Sequence, residues 1–170
     1  MRTVATLCAA LLVAVPGLAQ AAQPCLTTVE ASSLAAYALP SAISGATKRC
    51  SATLAPSSFL RTQGSQLAAR YAGRKAQTWP SAKAAFLKLG AGKDDGAALL
   101  AGLPDPSMQQ LIDVMIEGLV SQKVPVAQCG DIDRIIGLLA PLPPQNMADL
   151  IAEVIGLAGK PGGEVAICKS

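Results

Sequence analysis

The chain has 170 residues, a formal net charge of +3, 51% apolar residues, 3% aromatics and no histidine. Without histidine it lacks the usual general acid–base group for chemistry near neutral pH and the commonest metal ligand. It also has no Gly-x-Ser-x-Gly elbow and no phosphate loop, so composition and motifs point away from catalysis, from a bound metal and from a cofactor.

The N-terminus reads as a secretory leader. Arg2 gives a positive start, Val4 to Val15 an apolar core, and Ala19-Gln20-Ala21 the small-x-small cleavage pattern. Residues 1–21 are therefore assigned as a signal peptide and 22–170 as a single helical domain, exported to a bacterial periplasm or the extracellular space. Cys8 falls inside the leader. The remaining cysteines, Cys25, Cys50, Cys129 and Cys168, are 25, 79 and 39 residues apart. That even number in an exported chain predicts two disulfides, and the spacing is too wide for a zinc site. Bridges across successive helical hairpins give the expected pairing Cys25 with Cys50 and Cys129 with Cys168. No stretch after the leader holds the 18 or more uninterrupted apolar residues of a membrane span.

Helical periodicity dominates the rest, and the fold class is all-α, a single-domain helical bundle or a stack of helical hairpins with two disulfides. Thr27 with Glu30 forms a capping box for a helix through Tyr37, which Pro40 should interrupt. Pro56 to Gln77 reads as a second helix, weakened at Gly64 and ended by Trp79-Pro80, with Pro80 opening a third through Phe86 and Leu89. Asp105 to Gln122 has the clearest stripe, Met108, Leu111, Ile112, Met115, Ile116 and Leu119, with Asp105 as cap. Cys129 to Ala140 and Pro144 to Ala158 follow, and Lys160-Pro161-Gly162-Gly163 breaks the pattern before Cys168. The inward stripes should bury Ile112, Met115, Ile135, Ile136, Leu150, Ile151 and Val154 together.

Two regions repeat at an offset of 39 residues. Leu99-Leu100-Ala101-x-Leu103-Pro104 recurs as Leu138-Leu139-Ala140-x-Leu142-Pro143, and Met108, Leu111, Ile112 and Ile116 recur as Met147, Leu150, Ile151 and Ile155. The shared unit is helix, Leu-Pro turn, helix, and two copies suit a pair of similar hairpins in one globule.

Charge is unevenly spread. Residues 31–93 carry nine bases, no acid and all five aromatics, whereas residues 94–170 carry ten acids against four bases. Arg61, Arg70, Arg74, Lys75, Trp79, Lys83 and Lys88 are therefore candidates for a cationic, aromatic-bearing face towards a protein or an anionic envelope component. The competing reading is that these bases meet the acidic half of the same molecule. No nucleic acid is expected as a partner. The carboxylate pairs Asp94/Asp95 and Asp131/Asp133 fall where helices should begin, and acids there favour the positive end of the helix dipole. A carboxylate-based hydrolase or lyase centred on Asp131 and Asp133 is the enzymatic alternative. In general character the chain resembles saposin-like lipid binders and small envelope inhibitors, with a cysteine spacing that matches neither; that resemblance implies a lipid carrier as a further alternative.

Overall fold

A computed structural model describes residues 25–90, 99–158 and 166–168. The expected leader, Asp94/Asp95 and the expected breaker at 160–163 lie outside the described residues. The elements are β1 (Cys25–Leu26), α1 (Thr28–Cys50), α2 (Phe59–Ala72), α3 (Lys75–Gly90), α4 (Asp105–Lys123), a 3-10 turn (Val126–Gln128), α5 (Cys129–Leu139), α6 (Pro144–Ala158) and β2 (Ala166–Ile167). The protein is all-α with two disulfides. Its short strands pair in parallel, Cys25 with Ala166 and Leu26 with Ile167.

Helix α1 is the axis, and α2, α3, α4 and α6 all pack on it. It begins at the capping box expected from sequence. The Glu30 N–H donates to the Thr27 hydroxyl at 3.2 Å and the Thr27 N–H to the Glu30 carboxylate at 2.7 Å. Close approach of the outer helices depends on two glycines. A Cβ at Gly45 would sit 2.6 Å from the Glu117 carbonyl oxygen of α4, and one at Gly64 of α2 would sit 2.5 Å from the Thr47 hydroxyl of α1. Gly64 is thus the contact point of a helix crossing rather than a weak point.

Several expectations are corrected. Helix α1 runs through Pro40 to Cys50. Proline removes one helical hydrogen bond, and burial of Ala36, Tyr37, Pro40, Ser41 and Ile43 against four neighbours offsets that loss. Trp79-Pro80 does not end a helix either. The break falls at Gly73, and Pro80 lies within α3, which buries Trp79, Ala82 and Ala85 while Pro80 itself faces solvent. The residue before Asp105, Pro104, occupies the cap position of α4.

The disulfides are Cys25 with Cys168 and Cys50 with Cys129, at Cα separations of 5.0 and 5.4 Å. The expected hairpin pairing is wrong, because a 23-residue α1 carries Cys25 and Cys50 to opposite ends of the molecule. Each cysteine then pairs with whatever the topology brings to its own end. The β1 and β2 strands join the first and last described segments at one pole, and the C-terminus of α1 meets the N-terminus of α5 at the other.

The expected seven-residue core also fails in part. Ile112 is buried, and Ile136 and Ile151 pack partly buried against the core, but Met115, Ile135, Leu150 and Val154 are exposed. The apolar stripes of α4, α5 and α6 are wider than the single line along which each helix meets its neighbour.

Candidate functional site

The seven residues proposed for a cationic face do not form one aromatic-bearing patch. Lys75 of α3 pairs with Asp113 of α4, Lys83 pairs with Asp105 at 2.6 Å, and Lys88 pairs with Glu30 at 2.9 Å. Trp79 is buried against Tyr37, with ring centroids 5.1 Å apart, so its indole belongs to the core. Arg61 donates to the Leu54 carbonyl at 3.0 Å, and Arg70 donates to the carbonyl of Ala140. Arg74 is half-buried at the α2–α3 junction. Three of the six cations therefore face carboxylates of the same molecule. The Lys88 ammonium beside Glu30 holds that carboxyl below its usual range, and Lys83 does the same for Asp105.

The acids of the enzymatic alternative are also engaged. Asp133 accepts from the Leu60 N–H at 2.7 Å and from the Phe59 N–H at 3.3 Å. It thereby caps the N-terminus of α2, whose own Ser58 makes no side-chain cap, rather than serving the start of its own helix. Asp131 is exposed and lies 3.8 Å from Arg134. Among the described residues no three metal-ligating side chains cluster.

One polar cluster resembles a catalytic grouping. Asp113 accepts from Ser41 at 3.0 Å and from Lys75, whose ammonium lies 4.4 Å from the centre of the Tyr37 ring. Burial, with Asp113 adding to it, pushes the Tyr37 phenol well above its ordinary value. Both Ser41 and Lys75 point at one carboxylate oxygen, which locks α4 to α1 and α3.

Two clefts flank the contact between α2 and α5. The first, about 370 Å³, is apolar. Its walls are Leu39, Ala42 and Ile43 of α1, Leu67 and Tyr71 of α2, Ile136 and Leu139 of α5, and Met147, Leu150, Ile151, Val154 and Ile155 of α6. Among the described residues no charged side chain lines it. The Tyr71 hydroxyl is turned away to the Leu142 carbonyl at 3.4 Å. The second cleft, about 700 Å³, is lined by Phe59, Gln63, Gln66 and Arg70 along α2, by Gly137 of α5, and by Ala140 and Pro141 just beyond its end. Among the described residues no carboxylate lines either one.

Sequence reasoning missed the apolar cleft, although a signal for it exists. Ile135-Ile136 and Leu138-Leu139 in α5, and Leu150-Ile151 and Val154-Ile155 in α6, are apolar doublets. A doublet spreads an apolar stripe over about 100° more of the helix than one neighbour covers, so one member faces inward and the other the rim. No helix among the described residues is long and apolar enough to cross a membrane. No protein-family model, curated protein or solved structure matches the chain.

Proposed function

We propose that this protein is exported after loss of residues 1–21 and that residues 22–170 act as a single domain that binds an apolar chain, as a carrier or sequestering protein rather than an enzyme. The observation that carries this reading is the apolar cleft between α1, α2, α5 and α6, about 370 Å³ in volume and walled by aliphatic side chains, alanine and one tyrosine ring. Small-molecule sites are typically concave, mostly apolar and roughly 300 to 1,000 Å³ in volume. An apolar lining without charge gains from burying hydrocarbon and penalises burial of a charged group.

The lipid-carrier reading thus gains on the cationic-face reading, whose lysines are engaged within the molecule and whose tryptophan is in the core. Disulfides at both poles suit an oxidising compartment. The test is titration of the oxidised, delipidated protein with the neutral apolar fluorophore N-phenyl-1-naphthylamine. Saturable binding of one fluorophore per chain is expected, with loss in Leu150→Trp and Val154→Trp, which place an indole at the exposed rim. Absence of saturable binding, or full retention in both rim variants, rejects the apolar cleft as the site.

A further inference from the structure

Resting on the proposed apolar-chain binding, we infer that the natural ligand class is a single-chain aliphatic monocarboxylate whose hydrocarbon tail fills the apolar cleft and whose carboxylate is held by Arg70. The inference comes from how closely the two clefts adjoin. Leu67 lines both, and residues at the C-terminal end of α5 that line them are immediate neighbours, Ile136 and Leu139 for the apolar cleft against Gly137 and the capping Ala140 for the second.

Arg70 lines the second cleft close to that shared residue. It follows Leu67 by one helical turn, and its guanidinium carbon lies 5.4 Å from the centroid of the Tyr71 ring, which itself walls the apolar cleft. The guanidinium is positioned by its bond to the Ala140 carbonyl at the end of α5. Five N–H donors in a planar fork leave several for a ligand. Among the described residues no carboxylate lies within ion-pair distance of Arg70, in contrast to Lys75, Lys83 and Lys88. Gln63 and Gln66 add neutral amide donors along the same wall. A guanidinium in the adjoining cleft, against the Tyr71 ring that walls an uncharged hydrocarbon slot, matches a ligand with one negative charge at one end, and the fork geometry suits a carboxylate. The modest apolar volume favours one chain over the two of a diacyl lipid.

The experiment compares lauric acid, dodecanol and butyrate by competition against bound N-phenyl-1-naphthylamine, at neutral pH and in low salt, on the wild-type, Arg70→Gln and Arg70→Lys proteins. A hydrogen-bonded charge contributes about 1.5 to 3 kcal/mol, so lauric acid should compete at least about tenfold better than dodecanol, with butyrate far weaker. Arg70→Gln should lower lauric acid affinity about tenfold, to that of dodecanol, and Arg70→Lys should restore part of the difference. The lysine variant and dodecanol competition together separate loss of the carboxylate contact from loss of the fold. Equal competition by lauric acid and dodecanol in the wild type overturns the Arg70 assignment while leaving the apolar cleft standing, as does an acid preference that survives Arg70→Gln. Butyrate competing as well as lauric acid overturns it too, because the tail is then irrelevant. Failure of every ligand, fluorophore included, removes the apolar-cleft reading itself and this inference with it.

Discussion

The two copies of the 39-residue repeat fold alike and are finished differently. In both, the Leu-Pro turn is closed by the same hydrogen bonds: Leu103 N–H to the Leu100 carbonyl at 3.1 Å and Leu142 N–H to Leu139 at 3.0 Å, then Met108 N–H to Pro104 at 3.0 Å and Met147 N–H to Pro143 at 3.1 Å. Exposure repeats as well. Leu111 and Leu150 are 40% and 41% exposed, Met115 and Val154 are 51% and 53% exposed, and Met108 and Met147 are both buried. Each helix is docked on α1 by a serine–aspartate bond, Ser41 to Asp113 for α4 and Ser32 to Asp149 for α6.

The difference lies in what covers each unit. Helix α3 seals α4 with Trp79, Phe86 and Leu87, and three ion pairs lock it, through Lys48, Lys75 and Lys83. Helix α6 makes no ion pair among the described residues. Its aspartate is shared with the neutral Gln145, and α2 and α5 leave the apolar cleft open beside it. One sequence unit therefore gives a closed core where aromatics and lysines complete it, and an open apolar cleft where aliphatic residues do not.

The largest effect expected is loss of the bridge that holds the open unit. On a chain-entropy model, the Cys50–Cys129 separation of 79 residues corresponds to about 4 to 5 kcal/mol. Cys50→Ala with Cys129→Ala should lower denaturant stability by that order. Hydrogen exchange should then rise first in α5, which buries little besides Cys129, and only later in α4. Faster exchange in α4 than in α5 would break the comparison.

The next test trades matched positions. Ile112 in the sealed unit is fully buried, whereas its equivalent Ile151 lines the cleft. Ile112→Ala should cost about 3 to 5 kcal/mol and Ile151→Ala about 2 kcal/mol or less, because a side chain already bordering open space leaves less new cavity. Equal losses in urea denaturation would mean that the cleft is closed in solution.

Removing the polar lock gives a smaller change. Asp113→Ala strands Ser41 and Lys75, and should cost about 1 to 3 kcal/mol, whereas Gln145→Ala on the open side should cost less than about 1 kcal/mol. Thermal unfolding of both variants decides the order.

The smallest effect is on acidification. Asp105 opens α4 and is held below its ordinary pKa by Lys83, while the equivalent first residue of α6 is Pro144. A depressed carboxyl supplies stability above its unfolded pKa and loses it as pH falls through the folded value. Below the ordinary aspartate value of 3.8, the first turn of α4 should loosen before that of α6. Amide exchange monitored by NMR reads this directly, and Lys83→Gln should raise the Asp105 titration midpoint.

Much of this was legible in the sequence. The capping box at Thr27, the bounds of α6 and the repeat itself follow from local patterns, because capping and helical periodicity act within a few residues. Pro40 and Pro80 misled because burial of α1 and α3 outweighs one missing hydrogen bond. The cysteine pairing was beyond reach, since it depends on which helix ends meet. The pairing of Lys75, Lys83 and Lys88 with acids was hidden for a related reason: charge asymmetry along a chain does not say whether the two halves face solvent or one another. The cleft shows only as apolar doublets, and their meaning depends on how many neighbours each helix finds.

The central claim is that the second unit, and not the first, is open to an apolar chain. Methyl-resolved NMR titration of the oxidised protein with lauric acid tests it most directly. Saturable shifts should appear at Leu39, Leu139, Ile151 and Ile155, with Met108 and Ile112 of the sealed unit unmoved. Shifts centred on Met108 and Ile112, or none at any of these methyls at saturating ligand, would contradict the account.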